Sequence, residues 1–202
     1  MNARFVVLEG CDGSGKSTQA RLLADRVSAR ITREPGGTSA GIQIRALLLD
    51  HSPEGASLHV RAEALLMAAD RAQHMAEVVL PALAAGRHVV SDRSYGSSLA
   101  YQGYGRGLPV DEVREVSRWA MQGRLPDLNI LLRVPLATVV DRLASSGAPD
   151  RLESEGTIFL QRVIDGFDAL AAADPQRWRV IDGLGTVEQV QSRVWDAVSD
   201  LF

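Results

Sequence analysis

The sequence predicts an α/β fold in which helices cover both faces of a five-stranded parallel sheet, within one domain spanning residues 1–202. Short apolar runs, typical of strands buried on both faces, alternate five times with longer segments whose apolar residues recur at helical spacing. A glycine-rich turn follows the first apolar run and charged residues follow later ones, as expected where ligands bind at the carboxyl ends of parallel strands. A chain of 202 residues is long enough to build a core on both sides of such a sheet.

The first elements follow directly from these patterns. Residues 5–8 form a continuous apolar run, which predicts the central strand. Over residues 16–28 apolar side chains recur at i, i+3 and i+7 from Ala20, which predicts a helix. Residues 29–32 are a weaker strand candidate, and the proline and paired glycines after them predict a loop. Thr38 is expected to cap the next helix.

The middle of the chain begins with a long helix. We predict it over residues 58–80, with a kink near Pro81 and a continuation to residue 85. Residues 88–90 form the second clear apolar strand. A helix is expected over residues 94–102, before the glycine-rich segment 103–107.

The last part of the chain repeats the alternation. Pro109 opens a predicted helix that runs to about Met121. Small and polar residues fill 144–149, and we expect a mobile lid at about 144–153. The other predicted elements are strands over residues 128–134 and 178–181 and helices over residues 135–143, 157–173 and 187–201.

Composition narrows the class of partner. The net charge is −3, and the single lysine, Lys16, is accompanied by 21 arginines spread over the chain, which argues against a nucleic-acid surface and for a small anionic ligand. A single cysteine, Cys11, cannot form an internal disulfide, which is typical of a reducing compartment. No apolar run approaches 18 residues and no signal-peptide pattern is present. We therefore expect a cytoplasmic protein that does not span a membrane.

The turn after the first strand reads GCDGSGKST and fits the pattern GxxxxGK[ST]. Its glycines permit positive φ angles and let backbone N–H groups approach phosphate oxygens, at the positive end of the helix that starts near Lys16. The alternative is an ordinary glycine-rich turn, but a strand before it and a helix after it favour a phosphate-binding loop. The predicted loop consists of Gly10, Cys11, Asp12, Gly13, Ser14, Gly15, Lys16, Ser17 and Thr18.

Charged residues also stand at two other strand ends. Asp92 and Arg93 follow the strand over residues 88–90, and Glu34 follows residues 29–32. Asp92 is placed to support Mg²⁺ beside Ser17, and Arg93 adds a fixed cation. The alternative is that a strand-end Asp and Arg pair with each other or cap turns. The neighbouring phosphate-binding loop favours a site.

Two helices supply a second group of candidates. Met67 and Arg71 are four residues apart on one helix, and Ser98, Tyr101 and Gln102 are three and four apart on another. A flat base could stack on the first face and meet hydrogen-bonding groups from the second. The alternative is that Met67 belongs to the core and Arg71 is a solvated or snorkelling cation.

Together these segments resemble those of bacterial thymidylate kinases, members of the P-loop nucleoside monophosphate kinase family. The similarity covers nearly the whole chain. It is carried by LEGCDGSGKST, TREPGGT, EALLMAADRAQH, SDRSYGSSLAYQGYGRG and the PD dipeptide before the fourth strand. The resemblance implies a three-layer P-loop kinase fold, a homodimer, and transfer of phosphate from ATP-Mg²⁺ to dTMP in dTTP biosynthesis.

The resemblance also implies roles for individual residues. Arg93 would hold the dTMP phosphate, Arg71 would hydrogen-bond the thymine, and Tyr101 would pack under the deoxyribose. The implied dTMP-binding set is Asp12, Glu34, Arg45, Met67, Arg71, Arg93, Ser98, Tyr101 and Gln102. The implied ATP-binding set is the loop of residues 10–18 with Arg142 and Arg151. The implied catalytic residues are Asp12, Lys16, Asp92, Arg93 and Arg151, and the implied metal-binding residues are Ser17 and Asp92.

The sequence departs from the family pattern at three places. Met67 stands where a Phe usually stacks on thymine, and Ser94 follows Arg93 where Tyr or His is usual. Residues 144–149 contain no arginine, so only the flanking Arg142 and Arg151 remain to supply positive charge to the transition state. Another nucleoside monophosphate or deoxynucleoside kinase, or an inactive nucleotide-binding relative, stays open as an alternative. A GTPase switch does not, because the NKxD segment that reads guanine is absent.

Overall fold

In a computed structural model, which describes residues 3–49, 58–145 and 151–202, five parallel strands form one sheet. The strands are β1 (Phe5–Glu9), β2 (Arg30–Arg33), β3 (Val89–Asp92), β4 (Leu128–Arg133) and β5 (Trp178–Asp182). Their order across the sheet is β2-β3-β1-β4-β5, so β1 is central as predicted. The register pairs Leu8 with Asp92 and Glu9 with Leu131. The carboxyl ends of β1 and β3 therefore lie side by side.

Helices connect the strands. The α-helices are α1 (Lys16–Arg26), α2 (Ser39–Leu49), α3 (Val60–His74), α4 (Leu80–Ala84), α5 (Tyr95–Ser98), α6 (Val110–Ala120), α7 (Leu136–Ala144), α8 (Thr157–Ala173) and α9 (Val187–Val198). Within the described ranges, none of them is both long enough and apolar enough to cross a bilayer. The lid predicted at about 144–153 falls largely on residues 146–150, which lie outside the described residues.

The side chains of β1 alternate between two buried apolar clusters. Phe5 and Val7 join the cluster that includes α8, while Val6 and Leu8 join the cluster that includes α1 and α9. Every residue of β1 is buried, which is why its sequence is a continuous apolar run rather than an alternating one. The prediction of a parallel sheet covered on both faces is confirmed.

Near Pro81, where the sequence predicts a kink, the structure has a π-helical segment. Met75–Val79 widens the helix between α3 and α4, and Pro81 lies in the first turn of α4. A proline lacks the N–H group that an α-helix needs at an interior position, and a wider turn accommodates that loss. The chain therefore continues to Ala84 without a break.

The helix predicted to end at residue 102 runs further than expected. A second π-helical segment, Leu99–Gly105, extends it through the first part of the glycine-rich stretch. A Cβ atom on Gly105 would lie 2.6 Å from the ring of Phe159. Gly105 therefore allows this π-helical segment to pack closely against α8. The sequence pattern alone did not distinguish the glycine-rich stretch from a loop.

Candidate functional site

The loop between β1 and α1 has the backbone that a phosphate-binding loop requires. Gly10, Gly13 and Gly15 all have positive φ angles, and Gly15 caps the start of α1. A Cβ atom on Gly10 would lie 2.8 Å from the carbonyl oxygen of Leu132, so only glycine fits there. Lys16 is buried, and its Nζ donates to the Cys11 carbonyl at 3.3 Å. The loop therefore folds around its own lysine.

Ser17, in the first turn of α1, lies within hydrogen-bonding distance of Asp92, the last residue of β3. The Ser17 hydroxyl donates to Asp92 Oδ2 at 2.5 Å. The second oxygen of Asp92, Oδ1, is buried and has no hydrogen-bond partner among the described residues. A hydroxyl beside an unsatisfied carboxylate oxygen suits Mg²⁺, which binds proteins through one or two oxygen ligands and takes the rest from phosphate and water. These two residues fit the predicted metal site.

Arg93 follows Asp92 in a left-handed backbone conformation, with φ of 70°. Its Nη2 donates to Asp12 Oδ1 at 2.5 Å and to the Tyr101 hydroxyl at 3.1 Å, and its Nη1 donates to the Gly10 carbonyl at 2.9 Å. Asp92 and Arg93 therefore do not pair with each other. The guanidinium lies against the phosphate-binding loop instead.

Asp12 lies between two cations. One carboxylate oxygen, Oδ1, accepts from Lys16 at 3.2 Å as well as from Arg93. Burial opposes ionisation, but Arg93 and Lys16 hold the pKa of Asp12 far below its usual value. Burial likewise disfavours the charged form of Arg93, yet the Asp12 carboxylate raises the pKa of Arg93 well above its usual value. Both groups are charged at neutral pH.

A pocket of about 530 Å³ opens beside Arg93. It lies between α3, α5, the Leu99–Gly105 segment and the loop after β2. All nine residues of the predicted dTMP-binding set line it: Asp12, Glu34, Arg45, Met67, Arg71, Arg93, Ser98, Tyr101 and Gln102. The structure thus brings together candidates from five separate stretches of sequence.

Arg71 is buried rather than solvated, with 2% of its surface exposed. Its Nε donates to Glu34 Oε2 at 2.9 Å and its Nη2 to the Ser98 hydroxyl at 3.0 Å. Burial works against ionisation of Glu34, but Arg71 and then His74 lower the pKa of Glu34 below its usual value. Met67 packs against the core and also lines the pocket, so the two interpretations of this residue are not exclusive.

The two arginines beside the predicted lid occupy different places. Arg142 donates from Nη1 to the Gly13 carbonyl at 2.8 Å and so touches the phosphate-binding loop. Arg151 donates from Nη2 to Glu63 Oε2 at 2.7 Å and from Nε to the Leu48 carbonyl at 2.8 Å. In this arrangement Arg151 is bound to the end of α2 and to α3.

Three buried carboxyl groups were not predicted from the sequence. Glu9 ends β1, Glu63 accepts hydrogen bonds from Gln102 and from two arginines, and Asp70 lines the pocket and accepts from the Gly36 N–H at 2.9 Å. Burial raises the pKa of Glu9 to about 7 and that of Asp70 to about 6. The one signal in the sequence was the charge of Glu9 at the end of an apolar strand.

Comparison with known proteins agrees with this geometry. A family model described as thymidylate kinase matches residues 8–194. The thymidylate kinase of Bifidobacterium longum is 46% identical over 208 aligned positions that cover 100% of both chains. That of Pelotomaculum thermopropionicum is 45% identical over 100% of this chain and 95% of its own length, and that of Cupriavidus necator is 44% identical over 96% and 97%. The chain belongs to the thymidylate kinase family.

Proposed function

We propose that this protein transfers the terminal phosphate of ATP to dTMP, producing ADP and dTDP for dTTP biosynthesis. The observation that carries the proposal is the placement of Asp12 between Lys16 and Arg93. One cation belongs to the phosphate-binding loop and the other to the neighbouring pocket. Transfer of a phosphate between two nucleotides requires two adjacent phosphate sites, and here Asp12 lies between them.

The chemistry needs no general base. The attacking atom is a phosphate oxygen of dTMP, which is anionic at neutral pH because the second pKa of a phosphate ester is about 6. The barrier lies in aligning two polyanions and spreading charge over the transferred group. Lys16 and the backbone N–H groups of residues 10–18 would hold the donor phosphates, and Arg93 would hold the acceptor phosphate.

Mg²⁺ bound with ATP belongs to this proposal. The Ser17 hydroxyl and the Asp92 carboxylate would hold it, because one oxygen of Asp92 is buried without a partner among the described residues. The bound ion would supply charge neutralisation on the donor phosphates.

The other pocket residues would select the acceptor. Arg71 has five N–H donors, of which three bond to Glu34, Ser98 and Ser117, so two more are available for a pyrimidine edge. Met67 would cover the base, and Tyr101 would lie under the sugar. Glu34, Arg45, Ser98 and Gln102 complete the acceptor side.

Positive charge for the transition state would come from beside the lid at about 144–153 of this single catalytic domain. Arg142 already touches the loop through Gly13. Arg151 would serve in the same way only after it leaves Glu63.

A cytoplasmic homodimer completes the proposal. Four large apolar side chains are mostly exposed on three neighbouring helices: Ile42 (59%) and Leu47 (62%) on α2, Leu65 (59%) on α3 and Trp119 (82%) on α6. A second copy that packed against these helices would bury such side chains. The one cysteine, Cys11, is buried, and burial raises its pKa, as expected of an unreactive thiol.

Turnover with Mg-ATP over thymidine, dTMP, dUMP, dCMP and AMP tests the activity. We expect dTMP to give the highest kcat/KM. Preference for thymidine or for another monophosphate would replace the proposal with a different kinase. Binding of dTMP and ATP by calorimetry without formation of dTDP would identify an inactive relative.

A further inference from the structure

Glu9 is a fully buried carboxylate that the proposed chemistry does not use. It ends β1 and is not among the residues that line the pocket. Its Oε1 accepts from the backbone N–H groups of Ser94 at 3.1 Å and Ser97 at 3.2 Å, and its Oε2 accepts from the Ser97 hydroxyl at 2.5 Å. A strand residue thus fixes the segment that follows Arg93.

The close approach of this segment depends on Gly96. A Cβ atom there would lie 2.7 Å from Glu9 Oε1 and 2.8 Å from the ring of Trp178. Any larger residue would push α5 away from the carboxylate. Glycine therefore lets the strand end and the turn meet at hydrogen-bonding distance.

Ser97 connects Glu9 to the guanidinium of Arg93. The Ser97 hydroxyl donates its proton to Glu9 and accepts a hydrogen bond from Arg93 Nη1 at 2.9 Å. Because that proton is committed to Glu9, the oxygen lone pairs of Ser97 point toward the arginine. Both hydrogen bonds therefore run the same way: the Arg93 guanidinium donates to the Ser97 hydroxyl, and the hydroxyl donates to the Glu9 carboxylate.

We propose that Glu9 is a positioning residue that aims Arg93 at the acceptor phosphate through the hydroxyl of Ser97. The inference rests on the proposed function, in which Arg93 binds that phosphate. Glu9 orients Arg93 from outside the pocket, without touching the nucleotide.

The negative charge of Glu9 has an electrostatic effect on phosphate binding that opposes its role in positioning Arg93. A carboxylate near Arg93 also reduces the positive potential that attracts a phosphate. Three hydrogen-bond donors already satisfy the Glu9 charge, and burial raises its pKa to about 7, so only part of a full charge acts at neutral pH. Orientation of Arg93 therefore outweighs the field, and loss of Glu9 weakens phosphate binding.

Calorimetry with dTMP and with thymidine separates orientation from general damage. Glu9→Gln keeps the shape of the side chain, but its amide donates to Ser97 where the carboxylate accepted. We expect about tenfold weaker binding of dTMP and unchanged binding of thymidine, which lacks the phosphate. Equal losses for both ligands, or dTMP binding as tight as in the wild type, would overturn the inference.

Two further variants keep the test decisive even if Glu9→Gln folds poorly. Ser97→Ala must weaken dTMP more than thymidine, and adding Glu9→Gln to it must cause no further loss. Additive losses would show that Glu9 does not act through Ser97. Asp127→Asn is the matched control, because Asp127 accepts from the Phe5 N–H at 2.7 Å at the other end of β1; it should leave the dTMP-to-thymidine ratio unchanged.

The wild-type protein separates this inference from the proposed function. If wild-type protein binds dTMP no more tightly than thymidine, the phosphate site assigned to Arg93 is wrong and the role of Glu9 is lost with it. If wild-type protein prefers dTMP and Glu9→Gln keeps the same preference, only the role of Glu9 is overturned.

Discussion

Asp12 accepts a 2.5 Å hydrogen bond from Arg93, so the guanidinium assigned to the acceptor phosphate is already bound to an anion. The same carboxylate oxygen accepts from Lys16. An incoming phosphate must therefore compete with Asp12 for donors of Arg93. The fork geometry of arginine, which presents donors to several acceptors at once, is what makes this exchange possible.

Arg93→Lys tests the fork directly. The substitution keeps the positive charge, but a single ammonium nitrogen replaces the two guanidinium nitrogens, of which Nη1 bonds to Gly10 and Ser97 and Nη2 bonds to Asp12. We expect kcat/KM for dTMP to fall on the order of 100-fold, with little change in the KM for ATP. Steady-state kinetics with each substrate varied in turn measures both. Wild-type kinetics in Arg93→Lys would mean that charge alone suffices at this position.

Arg151→Ala tests the lid charge. If Arg151 leaves Glu63 to stabilise the transition state, its loss should lower kcat on the order of 10³-fold with a modest change in dTMP affinity. Arg106→Ala is the control, because Arg106 also bonds to Glu63 at 3.1 Å but has no proposed contact with phosphate. Arg106→Ala should lower stability and leave kcat close to the wild-type value.

The comparison with Arg142→Ala decides which arginine acts. Arg142 lies on the loop at Gly13, whereas Arg151 lies on Glu63. Unchanged turnover in Arg151→Ala would remove Arg151 from the mechanism. A loss of turnover in Arg142→Ala alone would then assign the charge to the residue that already touches the loop.

The sequence predicted the parts of the site that are local. The loop of residues 10–18 is a single contiguous motif, and its backbone follows from three glycines and the start of α1. The strand ends were also predictable, because parallel strands place their carboxyl ends at one edge. Asp92 and Ser17 could therefore be expected together from the order of the strands and the motif alone.

The partners of buried charges were not predictable. Arg71 bonds to residues 37, 46 and 27 positions away in the chain, and the spacing within its own helix carries no information about them. Glu63 likewise collects donors from Gln102 and Arg151, which belong to other elements. The π-helical segment Leu99–Gly105 also had no signal, because its glycines resemble those of a loop.

Stability should fall as the pH rises from 5 to 7. The folded pKa of Glu9, about 7, and that of Asp70, about 6, lie above their unfolded values, so the folded protein binds more protons. Burial is the main cause of both raised pKa values. Arg93 and Tyr95 are ionisable groups that interact with Glu9. The stabilisation is complete below about pH 4 and is lost as the pH rises through the folded pKa values, with a slope up to about 1.4 kcal/mol per pH unit for each group.

Urea unfolding at pH 5, 6, 7 and 8 measures this slope. Glu9→Gln should flatten it across the whole range from pH 5 to 7, and Asp70→Asn mainly between pH 5 and 6, since each variant removes one titrating group. The carboxylates with lowered pKa values, Asp12, Glu34 and Glu63, act in the opposite sense at more acidic pH. A slope that is the same in Glu9→Gln and in the wild type would contradict the raised pKa of Glu9.

Met67→Phe tests the contact with the base. Met67 packs against the core and lines the pocket, and a flexible thioether covers a ring less rigidly than an aromatic side chain does. A stacked ring should tighten binding about three- to tenfold. The gain should be equal for thymidine and dTMP, because both carry thymine and only one carries the phosphate. Met67→Leu, apolar but without a ring, is the control and should bring no gain. Calorimetry that found tighter binding of dTMP alone would place residue 67 near the phosphate and not over the base.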